Sequence, residues 1–114
     1  QRLYRFVGLG WAMRMVLTGE PVTANCAREI GLVTEVVSQE KLLGHAKKLA
    51  RLLGSRAPIA FKAGRDAVLR STETDLLSGI DYERKLYAML MATEDKEEGL
   101  AAYREKRQPN YKGR

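Results

Sequence analysis

The chain has 114 residues, 45% of them hydrophobic, with 20 Lys+Arg against 14 Asp+Glu for a net charge of +6. That is ordinary globular content, and the longest apolar run, residues 86–92, falls far short of the roughly 18 residues of a membrane span, so no membrane partner is expected. One Cys and one His exclude a disulfide framework within the chain and a Cys/His zinc site, so no metal is expected.

The positive balance favours polyanionic partners: nucleic acid, an acidic membrane surface or a phosphate-bearing small molecule. A lone Cys fits a reducing setting. The chain opens on Gln1-Arg2-Leu3 with neither an initiator Met nor a signal segment. It reads as a fragment entering an element already under way.

Residues 1–18 predict two short helices, with Leu3, Phe6, Val7, Trp11, Met15 and Val16 on roughly one side and a break at Gly8-Leu9-Gly10. Gly8-x-Gly10 is no dinucleotide loop, because no strand precedes it and Met13 stands where a third Gly belongs. The stretch 16–37 then forms an elbow. An amphipathic run ends at Thr18-Gly19, Thr23 caps a short helix over 24–30, and Gly31 ends it and releases a β-branched strand over 33–37. Cys26 shares a face with Ile30 and reads as buried and inert, since no cationic cluster or base accompanies it.

Ser38 caps a helix over 39–53, with Leu42, Ala46, Leu49, Ala50 and Leu53 as its apolar stripe and Lys41, His45 and Lys48 opposite. His45 is a surface residue in this reading. Pro58 opens another helix whose inner face is small: Ala60, Ala63, Gly64 and Ala67. Thr72-x-x-Asp75 caps a long helix to about Met91, and its second half, with Leu86, Tyr87, Met89, Leu90 and Met91, is apolar on nearly every side. Such a helix requires cover, so Leu86, Tyr87, Leu90 and Met91 are the candidate oligomer interface. Thr93 caps the last helix, acidic at its start (Glu94, Asp95, Glu97, Glu98), basic at its end (Arg104, Lys106, Arg107) and closed by Pro109. The acidic first turn matches the helix dipole, so these carboxylates are not read as a catalytic pair.

Several segments taken together resemble one family. Gln1-Arg2-Leu3 with Val7-Gly8, Leu17-Thr18-Gly19-Glu20 with Ala24, Ala27 and Gly31-Leu32-Val33, and then Ala57-Pro58 come first. Residues 92–99 (ATEDKEEG) and Glu105-Lys106-Arg107 follow. In unbroken order they resemble the C-terminal part of the enoyl-CoA hydratase/isomerase (crotonase) superfamily. The resemblance implies a mostly α chain: the helical trimerisation region of a crotonase-like α/β spiral fold, with one short strand near 33–37. Residues 1–37 would be the tail of the core and residues 38–114 the helical oligomerisation region, with the N-terminal spiral domain absent.

It also implies an acyl-CoA-binding enzyme, most simply an enoyl-CoA hydratase of fatty acid metabolism, which polarises the thioester carbonyl with two backbone N–H groups and adds water with two Glu side chains. All of those groups would lie upstream of Gln1, so no catalytic residue is expected in this chain. CoA enters as the substrate thioester and no cofactor is implied. Two positions carry over individually, Tyr103 and Lys106, where family members touch the adenine and phosphates of CoA held by a neighbouring subunit. The implied partners are acyl-CoA and further copies of the chain, as a homotrimer or a dimer of trimers, in bacterial cytoplasm or the mitochondrial matrix. Another crotonase-family isomerase or hydrolase is the alternative within the family. A basic helical nucleic-acid-binding module and a structural helical adaptor are the alternatives outside it. The former lacks an aromatic-interleaved basic platform and a recognition helix.

Overall fold

The computed structural model describes residues 1–114 and contains six helices: α1 (Leu3–Thr18), α2 (Ala24–Glu29), α3 (Gln39–Gly54), α4 (Pro58–Arg70), α5 (Leu76–Met91) and α6 (Glu94–Glu105). The chain divides into two compact units, Gln1–His45 and Ala46–Arg114, with α3 running across the division. No helix is long and apolar enough to cross a membrane.

In the first unit α1 is broken where the glycines predict. Gly8 holds φ 76° and ψ 164°, a backbone conformation open essentially only to glycine, so the two halves of α1 meet at a kink. Thr18 Oγ1 donates to the Arg14 carbonyl at 2.8 Å, and Gly19 in the left-handed region ends the helix. Thr23 caps α2 by accepting the Cys26 N–H at 3.2 Å. At its far end Gly31 has φ 80°, and a Cβ there would come within 3.3 Å of the Phe6 carbonyl, so the elbow requires glycine both for conformation and for close approach to α1. Val7, Ala12 and Ala27 are the buried apolar residues of this unit.

Three expectations for this unit need correction. Residues 33–37 form no strand, because a strand exists only with a ladder partner and the chain offers none beside them. Cys26 is half-buried rather than buried, at the edge of a cavity of about 190 Å³ lined also by Trp11 and Arg14. His45 is less free than a surface residue of a basic face, since its Nε2 lies 2.6 Å from a carboxylate oxygen of Glu35.

In the second unit the principal helix pair is α4 on α5. Pro58 sits in the first turn of α4, where a missing N–H costs nothing, and Ala63 is buried at 4% exposure. Asp75 caps α5 by accepting the Ser78 N–H at 3.0 Å, a bond that holds its carboxyl below the usual range. Thr93 caps α6 in the same way through the Lys96 N–H at 3.2 Å. One boundary differs from the sequence reading: α6 ends at Glu105, with Lys106 left-handed at φ 54°, ahead of Pro109. The buried residues here are small or polar, namely Ala63, Ala102 and Asp95. The apolar stripe of α3 is open: Leu42, Leu49 and Leu53 are all exposed and no residue of that helix is buried.

Candidate functional site

The end of α6 and the nine residues after it form the most organised polar arrangement in the chain. The tail folds back along α6 and is caught at three carboxylates. Glu98 receives Arg107 through both oxygens, Oε1 from Nη1 at 2.6 Å and Oε2 from Nη2 at 2.9 Å, and its Oε1 also accepts the Asn110 N–H at 2.7 Å. Asp95, 4% exposed, accepts the N–H groups of Lys112 (2.7 Å) and Gly113 (2.8 Å), one on each oxygen, and its own N–H donates to the Arg114 carbonyl at 3.1 Å. Glu94 pairs with the Arg114 guanidinium at 2.9 Å.

Two glycines make room for this return. A Cβ on Gly99 would come within 3.2 Å of the Tyr111 hydroxyl, and one on Gly113 within 3.4 Å of the Pro58 ring. The tail thus passes Tyr111 over the α6 backbone and Gly113 over the start of α4.

The left-handed turn at Lys106 is secured by the backbone. The Arg107 N–H reaches the Ala102 carbonyl at 3.0 Å and the Lys106 N–H reaches the Tyr103 carbonyl at 3.3 Å, a Schellman-type closure. Arg107 Nε also donates to Glu105. The position usually falls to glycine, because a Cβ in this region costs about 1–2 kcal/mol. A lysine here therefore sits against its backbone preference.

The two residues expected to meet CoA lie at this corner. Tyr103 is 84% exposed, leaving its ring uncovered, and Lys106 is exposed one position beyond the helix. The sequence reading put both on one helical face; the structure puts Tyr103 on the last turn and Lys106 on the turn that closes it. The four candidate interface residues divide. Leu86 and Leu90 are half-buried, Leu86 lining an apolar cleft of about 470 Å³ between α4 and α5 with Ile59 and Met89. Tyr87 and Met91 are exposed, at 63% and 40%. No grouping of three or more His, Cys, Asp or Glu side chains converges as a metal site.

Sequence reasoning missed what Asp95 and Glu98 do. Both were read as helix-dipole acids, whereas they hold the tail. The Arg107 guanidinium and then the Asn110 N–H hold the Glu98 carboxyl at about 2, down from its ordinary 4.5, and Arg107 is pushed up in turn. A carboxyl depressed on folding stabilises above its unfolded value and ceases to do so as pH falls through the folded one. The contribution of Glu98 is therefore complete above about pH 4.5 and lost towards pH 2. Hydrogen exchange at the Asn110 amide should show the difference between the parent chain and Glu98→Gln shrinking across that window. A difference constant with pH would mean that the carboxylate does not hold the turn.

Comparison with known proteins gives a consistent result. The family model described as enoyl-CoA hydratase/isomerase matches residues 1–114. The chain is 42% identical over 114 residues to 2,3-dehydroadipyl-CoA hydratase of Escherichia coli, covering 100% of this chain and 45% of that protein. It is 38% identical over 118 residues to the mouse mitochondrial enoyl-CoA hydratase domain-containing protein 2, covering 100% and 40%. Among solved structures, the enoyl-CoA hydratase of Bacillus anthracis superposes with a TM-score of 0.97 at 38% identity, covering 100% of this chain and 44% of that one. The chain spans less than half the length of each of these relatives.

Proposed function

The chain belongs to the enoyl-CoA hydratase/isomerase family, and from that premise we propose that it is the C-terminal part of an enoyl-CoA hydratase, which adds water across the double bond of a 2-trans-enoyl-CoA in fatty acid metabolism. In this reading residues 1–114 carry no catalytic group. They supply the contacts of a homotrimer or a dimer of trimers through Leu86, Tyr87, Leu90 and Met91, and one corner of the CoA site through Tyr103 and Lys106. The carboxylates and oxyanion donors that act on the thioester belong to the remainder of the protein.

The observation that carries the CoA assignment is the conformation of Lys106. A lysine held at φ 54°, where glycine is the ordinary occupant, beside an uncovered aromatic ring supports a role for its side chain. The ring offers a stacking face for a purine and the ammonium a charge for phosphate.

In the full-length protein Lys106→Ala should raise KM for crotonyl-CoA with little change in kcat, because a contact remote from the reacting atoms binds ground and transition states alike. The expected loss is roughly 1–3 kcal/mol for one charge-assisted bond, and added salt should reproduce part of it. Lys106→Gly should raise KM equally while leaving the fold at least as stable, since glycine relieves the left-handed backbone. An unchanged KM at low ionic strength would return Lys106 to the role of a solvated surface cation. Residues 1–114 by themselves should hydrate no crotonyl-CoA, which loss of the conjugated thioester absorbance would detect. Turnover surviving a mock-purification control would mean that the chain holds catalytic groups after all.

A further inference from the structure

We infer that Glu98 and Arg107 are positioning residues for substrate binding: their bidentate pair locks the turn that aims Lys106 at the phosphates of CoA. The inference rests on the proposed contact between Lys106 and CoA and adds the residues that make the contact geometrically fixed.

A non-glycine residue in the left-handed region persists only where its surroundings over-determine it. At Lys106 the backbone closure onto Ala102 and Tyr103 supplies part of that constraint. Such closures are ordinarily stable with glycine, and the added cost of a Cβ has to be met elsewhere. Arg107 is the next residue, and four side-chain interactions hold it. Two go to Glu98, one to Glu105 and one to the Gln108 carbonyl at 3.2 Å. The second carboxylate oxygen bond of a fork fixes the plane of the guanidinium as well as its distance, so the backbone just after Lys106 cannot rotate independently.

Glu98 lies two turns back on α6, a rigid element, and the same carboxylate receives the Asn110 N–H. One side chain therefore ties both ends of residues 107–110 to the helix. Lys106 itself has no acidic partner among the ion pairs of the chain, while the adjacent Arg107 is paired with two carboxylates. The arrangement separates the two neighbouring cations: one spends its donors on the protein, and the other leaves a fixed backbone position with no acidic partner. If the pair served stability alone, nothing would require the residue between it and α6 to be a strained lysine.

The test is a double-mutant cycle in the full-length protein, with KM and kcat for crotonyl-CoA and Kd for CoA as readouts. Lys106→Ala alone, Glu98→Gln alone and the double variant are compared, with Arg107→Lys as a second disruption that keeps the charge and removes the fork. Glu98→Gln and Arg107→Lys should each raise KM and Kd about as much as Lys106→Ala does, roughly tenfold, with kcat near that of the parent. An unchanged kcat shows that the fold and the catalytic centre survive. In the Lys106→Ala background Glu98→Gln should add less than twofold, because no ammonium remains to be aimed. Full additivity, or a Glu98→Gln enzyme with unchanged KM while Lys106→Ala is impaired, would overturn the positioning role and leave the CoA contact standing. A silent Lys106→Ala would overturn the CoA contact and the positioning role together, and it is recognised by that single variant.

Discussion

On the proposed assembly through α5, Leu90→Asp in the full-length protein is expected to abolish the oligomer or the folded state, and Tyr87→Asp to abolish the oligomer alone. The structure separates the two because Leu90 is half-buried within its own unit, whereas Tyr87 is 63% exposed on the same helix. Around them Met89 and Met91 are exposed at 48% and 40%, and Leu76 and Leu77, at the start of α5, at 77% and 78%. These residues lie at both ends and on more than one side of α5, and exposed apolar surface of this kind ordinarily has a partner. A carboxylate in a dry contact costs several kcal/mol even when water partly reaches it, enough to dissociate an assembly of ordinary affinity. At position 87 the same carboxylate would stay solvated in the isolated chain and leave the helix intact. Analytical ultracentrifugation with circular dichroism distinguishes the outcomes. A Tyr87→Asp protein of unchanged mass would exclude this face of α5 from the interface.

The second large effect is expected at Asp95. Asp95→Ala removes a 4% exposed carboxylate from two backbone N–H groups that nothing else in the structure satisfies. Bonds to a charged acceptor contribute about 1.5–3 kcal/mol each, and the freed amides recover part of that from water once the tail lifts. A net loss of roughly 2–4 kcal/mol follows, or a fall of about 10 °C or more in melting midpoint for a chain of this size. Asp95→Asn keeps one acceptor oxygen and turns an N–H towards the other donor, so it should retain less than half of the contribution. Rapid hydrogen exchange at Lys112 and Gly113 should accompany both losses. Slow exchange in Asp95→Ala would show that Tyr111 over Gly99, and not the carboxylate, holds the tail.

Most helix ends were legible because their signals are local. Thr23 and Thr93 each bond to an N–H three residues on, Pro58 stands where its ring fits, and Gly8 marks the kink, so residue type at a fixed spacing was sufficient. The Thr72-x-x-Asp75 pattern located the start of α5, but the cap is Asp75 while Thr72 donates back to the Leu69 carbonyl. The tail was not legible. Its bonds join residues 9 to 20 apart across an irregular turn, and no periodicity records such a pairing. Arg107 read only as part of the basic end of the last helix, when it and Arg114 are neutralised by acids of α6 and Lys112 offers its backbone N–H to Asp95. The strand over 33–37 failed for the opposite reason. Its β-branched residues are a real local preference, but pairing is a property of a second segment. The exposed stripe of α3 likewise announces a face and says nothing of what covers it.

The clasp between α6 and its tail also bears on the order in which the second unit can fold. Its contacts close loops of 9 to 20 residues. By the logarithmic dependence of closure entropy on length, the longest costs only about 0.7 kcal/mol more than the shortest. Loops of about ten residues meet within roughly 10–100 ns, so α6 and the tail can find each other before any distant segment arrives. Gly113 against Pro58 is different, for it joins positions 55 residues apart in the chain and waits on the pairing of α4 with α5. The hairpin of α6 and tail is accordingly an early, locally encoded seed, and docking onto α4 is the slower step that makes it part of a larger structure.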